Sequence, residues 1–328
     1  MRELPITVST ELQAAYDAAL QASLIVRHNP PGVLRLRGAS TLDFLHRMST
    51  NDLTGMTPGD VRGTVLTTAI GRTVDVVQVI VLPSEVLLLT TPGRSDAVRE
   101  WLGRYIFFSD DVRIDVETGE WSSWGVYGPQ AAGELGRLSL PAVEASDSFS
   151  VAQDGLSWRS AHPVPGLRLL AGPEVAARAD EAWGEAARDT SGPQALEILR
   201  VEHGRPQAGK EIDEEVIPLE VGLWDLVSFS KGCYIGQEVI ARMESRGRVS
   251  RHLAGVRMDQ VEETPQQVLR GREALGRLTS AVISPRFGPI GLALVRGLTI
   301  DDGENGVTLS PSGHSAVLVP LPFRGDNV

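Results

Sequence analysis

Between residues 61 and 91 the chain carries three β-rich runs, Val61 to Ile70, Thr73 to Leu82 and Val86 to Thr91, separated only by Gly71-Arg72 and by Pro83-Ser84. Gaps this short leave three antiparallel strands as the simplest arrangement. An amphipathic helix from Ser40, with Leu42, Phe44, Leu45 and Met48 on one side, precedes them, and a second from Arg94 to Phe108 follows. With strands expected at Val33 to Leu36 and at Val112 to Val116, the order is β-α-β-β-β-α-β, the pattern of an α+β domain. A capped helix is expected from Thr10 to just before Pro30 and Pro31.

Further along, strands are expected at Trp124 to Tyr127 and Leu167 to Ala171, with helices over Pro129 to Leu138, from Pro173, and after Gly192-Pro193. Ser139 to Ser150 reads as a loop. From about residue 250 short runs at Leu253 to Met258, Leu275 to Ile283, Ile290 to Leu294 and Ala316 to Val319 alternate with Gly271, Gly288, Gly303, Gly306 and Pro311, which predicts a small all-β terminal domain. The chain has 328 residues, enough for two to three domains. The expected boundaries are 1–120 and 121–249 for two α+β domains, interleaved with one another, and 250–328 for the terminal unit.

Composition narrows the function. Hydrophobic residues make up 42% and charged residues 22%, and mean hydropathy is −0.05, which fits a globular chain. The longest nearly apolar stretch, Val74 to Leu82, is broken by Asp75 and Gln78 and cannot span a bilayer. Glu3 and Glu11 stand where a secretory signal needs basic and then apolar residues, so a cytoplasmic location is expected. A net charge of −11 repels phosphate backbones and argues against direct nucleic-acid binding. One basic concentration runs against this trend, with Arg242, Arg246, Arg248, Arg251, His252 and Arg257. It reads either as a solvated helix end or as an anion site. No H-E-x-x-H, P-loop, dinucleotide fingerprint or G-x-S-x-G elbow is present, and no metal ligand set is expected.

Only two of the 31 basic residues are lysines, and one of them, Lys231, lies two positions from the single cysteine, Cys233. One thiol can neither close an intramolecular disulfide nor supply a Cys-rich metal site. Residues 231 to 238 read Lys-Gly-Cys-Tyr-Ile-Gly-Gln-Glu, followed by helical spacing through Arg242. A thiol ahead of a helix and beside an ammonium would gain thiolate character. The same string is compatible with an inert cysteine beside an ordinary turn.

The string KGCYIGQE with Arg242 resembles the signature of YgfZ-type folate-binding proteins, relatives of the glycine-cleavage T-protein (aminomethyltransferase). Leu34 to Leu53 with Thr50, Asn51 and Asp52, then Gly71, Arg72 and Asp75, is similar to the first domain of that family. Leu199 to Gly204, Gly209 to Ile212 and Pro218 to Glu220 resemble its central stretch, and Gly276 to Ser280 with Pro285 and Gly288 its terminal barrel. The resemblance implies two intertwined ferredoxin-like α+β domains plus a C-terminal β-barrel around a central channel for tetrahydrofolate or a one-carbon derivative. It implies Glu202, Asp75, Asn51, Tyr234, Gln237 and Arg242 as folate-binding residues, and Cys233, Lys231 and Asp75 as the reactive set. Glu202 also reads as a surface acid, Asp75 as a turn acid, and Asn51 and Asp52 as loop caps. T-proteins carry two adjacent acids where this chain has Asp75 followed by Val76. The implied role is therefore accessory, supporting assembly or repair of iron-sulfur enzymes, including tRNA-modifying ones, as a monomer that meets iron-sulfur client or assembly proteins. A folate-dependent aminomethyltransferase or demethylase is the alternative.

Overall fold

The computed structural model describes residues 8–117, 119–143, 145, 147–152, 154–245, 249–296 and 306–324. Glu3, Arg246, Arg248 and Gly303, named above, lie outside the described residues.

Two five-stranded antiparallel sheets and a closed barrel make up the fold. The first sheet has β2 (Gly32–Arg37), β3 (Val61–Thr67), β4 (Thr73–Val81), β5 (Val86–Thr90) and β6 (Arg113–Val116) in the order β3-β4-β5-β2-β6. The β3–β4 hairpin turns where expected, with Gly71 in the left-handed region at φ +74°. One face of this sheet is covered by α2 (Thr41–Met48) and α3 (Ser95–Gly103), whose Phe44, Leu45, Val98 and Leu102 pack against Leu34, Leu36, Val77, Val79 and Leu88.

The second sheet has β1 (Leu24–His28), β7 (Ser122–Tyr127), β8 (Phe149–Ala152), β9 (Gly155–Ser160) and β10 (Gly166–Ala171) in the order β1-β7-β10-β9-β8. Its outer face buries Trp124, Leu167 and Leu169 under α4 (Ala131–Arg137) and α5 (Pro173–Arg188). The inner faces of the two sheets meet through Val33, Ile80, Leu87 and Leu89 on one side and Leu156, Trp158 and Leu170 on the other. Alternating residues on each strand therefore serve different cores.

Three expectations need correction here. The N-terminal helix α1 (Thr10–Gln21) is capped by Ser9, whose hydroxyl accepts the Leu12 N–H at 3.1 Å, and it stops well before Pro30. Leu24–His28 is a strand instead, because Leu24 and Val26 alternate into the core beneath α1 while the chain pairs with β7. Ser40 precedes α2 but makes no side-chain cap; its hydroxyl accepts the Asp111 N–H. The end of the expected loop at Ser139 to Ser150 enters β8, which pairs with the following β9. Those short strands carry too few alternating apolar residues to stand out from a polar loop.

α6 (Ser191–Glu202) packs with α1 over β1 and also meets the barrel at β13 and β14. The barrel comprises β11 (Arg251–Met258), β12 (Gln266–Arg270), β13 (Glu273–Ser284), β14 (Gly288–Arg296), β15 (Gly306–Ser310) and β16 (Ser315–Val319), closing in the order β11-β14-β13-β12-β15-β16. β12 and β15 complete the set that the sequence showed only in part. Among the described residues, no helix is long and apolar enough to cross a membrane.

Candidate functional site

A cavity of about 480 Å3 opens beside β1 and α6, lined by Arg27, His28, Tyr127, Arg168, Glu197 and Arg205 among others. A second lobe of about 260 Å3 lies between the sheets, lined by Val76, Gln78, Leu89, Ser123, Trp158 and Ser160. Asn29 and Arg168 line both, so the lobes adjoin there. Together they fall in the size range of pockets for ligands of a few hundred daltons.

A short polar chain stands at the junction. Arg168 of β10 donates to Tyr127 Oη at 3.0 Å, and Tyr127 Oη lies 2.9 Å from His28 Nε2. Arginine only donates, so Tyr127 Oη accepts from Arg168, and a second hydrogen bond joins the same oxygen to His28 Nε2. Burial, and then the nearby Arg168 charge, push His28 down to about 3. Tyr127 reaches this position because its ring lies back over Gly125. A Cβ at residue 125 would come within 2.4 Å of that ring. Arg27, Arg200 and Arg205 each have a carboxylate, from Asp180, from Glu197 and Glu211, and from Asp225 at 3.8 Å respectively. Among the described residues Arg168 has no carboxylate within salt-bridge reach, which makes it the uncompensated cation of the cavity.

The family-implied residues lie elsewhere. α6 presents Pro193, Leu196, Glu197 and Arg200 to the cavity. At about 100° per residue Glu202 points the opposite way. Its carboxylate is 4% exposed and accepts Tyr16 Oη at 2.9 Å and Ser284 Oγ at 2.5 Å, and burial raises its pKa. Asp75 pairs across the hairpin with Leu66, on the α2–α3 side of the first sheet. Its carboxylate accepts the Thr91 N–H at 3.0 Å and the Thr91 hydroxyl at 2.5 Å, and burial pushes its pKa up. Neither acid lines the cavity. The β4 residues that do are Val76 and Gln78.

The KGCYIGQE segment braces the first domain. Lys231 is 8% exposed and donates to the carbonyls of His46, Ser49 and Asn51 at 2.6, 2.8 and 2.8 Å. Burial pushes it down to about 8 while these three acceptors hold its protons. Its charge is thus spent at the end of α2, and it also faces the Tyr234 ring at 5.0 Å. Tyr234 is buried, which pushes its phenol up to about 12. Ile235 N–H donates to Arg47 O at 3.0 Å, and Thr67 Oγ1 donates to Ile235 O at 2.7 Å. Gly236, at φ +85°, comes so close to the hairpin that a Cβ would meet Thr68 O at 2.6 Å. α7 (Gln237–Ser245) begins four residues beyond Cys233, whose thiol is exposed. The cysteine therefore sits on an outer loop, ahead of the helix but not on its first turn.

Gln237 is partly buried and its amide reaches Gly232 O at 3.5 Å. Arg242 is exposed and pairs with Glu238 at 2.6 Å. Asn51 donates to Gly63 O at 2.8 Å and accepts the Asp52 N–H at 2.9 Å, bracing its loop. Of the described members of the basic concentration, Arg251 pairs with buried Glu220 at 2.9 Å, and Arg257 lies over Phe287 and Phe323.

Residues 12–153 match the GCVT N-terminal domain family. Beyond them, a chloroplastic protein of Arabidopsis thaliana named as a putative transferase is 28% identical over 81% of this chain. The chain spans 63% of the length of that plant protein. The aminomethyltransferase of Bacillus subtilis is 26% identical over 92% of this chain and 87% of its own length. The crystal structure of the glycine cleavage system aminomethyltransferase T of Bartonella henselae superposes with a TM-score of 0.81 at 18% identity, covering 95% of this chain and 89% of that one. These matches support the GcvT superfamily, and the architecture is that of its aminomethyltransferases.

His28, Tyr127 and Arg168 were not singled out by sequence reasoning. Their one advance signal is Arg168, a lone charge inside the apolar run Leu167 to Ala171, where an unpaired arginine needs a reason.

Proposed function

We propose that the two-lobed cavity binds a reduced folate, tetrahydrofolate or a one-carbon derivative, and that the protein is a YgfZ-type accessory of iron-sulfur cluster assembly or repair. It acts in the cytoplasm on protein clients, including tRNA-modifying iron-sulfur enzymes, without contacting nucleic acid. Size and donor set fit such a ligand: Gln78, Ser123 and Ser160 offer amide and hydroxyl partners to a polar ring beside Trp158, and the arginines suit an acidic tail. Bound there, the folate would supply nitrogens able to carry a one-carbon unit. The chain's own residues bind and orient it and shield its ring from water.

The observation that carries the accessory reading is the absence of an available acid at the β4 positions that face the cavity. Val76 and Gln78 stand there and Asp75 is committed to Thr91. Transfer from an amine needs a group to manage the amine's proton. Cys233, exposed on its braced loop, is the group left to meet a client. The second reading, one-carbon transfer from an amine or lipoyl protein, draws on the relatives named aminomethyltransferase. A purified-protein assay separates the two. Saturable tetrahydrofolate binding without steady methylene-tetrahydrofolate production is expected, together with loss of rescue of an iron-sulfur-deficient strain by Cys233→Ala at unchanged thermal stability. Multiple turnover would establish the second reading, and full rescue by Cys233→Ala would remove the thiol from the function.

A further inference from the structure

Resting on the folate reading, we propose that Arg168 is the specificity-determining residue of the cavity: it takes a carboxylate of the ligand at the junction of the two lobes, and Tyr127 and His28 hold it in position. The chain is acidic overall, and the other cavity arginines named above have carboxylate partners. Arg168 is half-buried and lines both lobes, and among the described residues it faces no carboxylate. A half-buried guanidinium that spends one Nη on a neutral phenol keeps donors in reserve, and a bidentate carboxylate is the partner that satisfies its fork.

The surroundings prepare the arginine for that task. Tyr127 accepts from Arg168 and is itself hydrogen-bonded to His28, which gives the guanidinium a fixed height above the sheet. A histidine that stays neutral adds no second positive charge. Gly125 clears the space that the Tyr127 ring crosses. The smaller lobe, with Leu89 and Trp158 beside Gln78, Ser123 and Ser160, suits the flat polar ring. Beyond the junction the larger lobe stays open for whatever continues from the carboxylate. Arg168 is thereby a binding residue, and Tyr127 and His28 are positioning residues.

Calorimetric titration of the full-length protein with tetrahydrofolate and with 6-methyltetrahydropterin, which has the ring and no carboxylate, tests this. Arg168→Met is expected to weaken tetrahydrofolate about 30-fold, within the range of a lost charge-assisted hydrogen-bonded pair, and to leave the pterin within about 3-fold. Arg168→Lys should recover part of the loss, since it keeps the charge without the fork. Tyr127→Phe should weaken tetrahydrofolate less than Arg168→Met does, by about 5-fold, and Arg168→Met should also flatten the dependence of affinity on salt. Equal loss for both ligands in Arg168→Met, or no loss for either, overturns the assignment while the folate reading stands. Absence of saturable binding of either ligand to the unaltered protein overturns the folate reading and the assignment with it. Thermal melts of each variant separate lost binding from lost folding.

Discussion

His28 shows how one half-buried side chain links the cavity to stability. Its pKa in the folded protein is about 3 against an ordinary 6.5, with burial the larger cause and the Arg168 charge the second. Between those values the unfolded chain binds the proton and the folded one does not. Stability therefore rises with pH through that window and is lost as pH falls below about 6.5, by up to about 1.4 kcal/mol per pH unit. Urea melts at pH 7, 5.5 and 4.5 should show this slope, and His28→Gln should reduce it. An unchanged slope in His28→Gln would mean that His28 titrates freely in the folded state. Glu202 and Asp75 belong to the same scale. Which way a side chain leaves α6 or β4 depends on helical phase and on the bulge at Thr67. Phase is set by packing partners that come from Tyr16, Ser284 and Thr91, and no local pattern announces them.

At the scale of elements, the KGCYIGQE segment is a clamp as much as a reactive loop. Lys231 ties the end of α2, Ile235 ties Arg47 and Thr67, and Gly236 fits against the β3–β4 turn. Lys231→Met should leave two buried carbonyls and a partly buried one without this donor and cost about 2 to 4 kcal/mol, whereas Cys233→Ser, at an exposed site, should stay within about 0.5 kcal/mol. Denaturant unfolding of both variants checks this; equal and small effects would show that Lys231 is not structural. The motif itself was plain in the sequence. Its spacing suggested that lysine and thiol act together, since residues two apart share a face in an extended chain, but the segment is not a regular strand and Lys231 is buried while Cys233 is exposed.

Across the whole molecule the architecture was largely legible. The three close-set strands from Val61, the helices flanking them and the glycine-punctuated terminal barrel follow from period and turn chemistry. What stayed hidden is partnership. β1 pairs with β7, with His28 opposite Ser123, so the beginning of the chain completes the second sheet, not the first. That exchange brings His28 and Asn29 to β10 and forms the wall of the cavity, which no segment contains alone. Staples then hold the sheets to the barrel. Buried Glu211 accepts Arg200, Thr279 and Ser280 at 2.8, 2.7 and 2.6 Å, joining α6 to β13, and Glu220 joins Arg251 of β11 to the segment after α6. These are residues of the stretch that carried the family resemblance, and the structure gives them this linking work.

The ligand is proposed to occupy the two-lobed cavity, with its ring in the lobe between the two sheets. Hydrogen-deuterium exchange of the full-length protein with and without saturating tetrahydrofolate measures it directly. Added protection is predicted in residues 25–29, 122–127 and 166–171, which surround the junction at Arg168. Protection confined to residues 228–245 around the cysteine loop, or none at all, would contradict it.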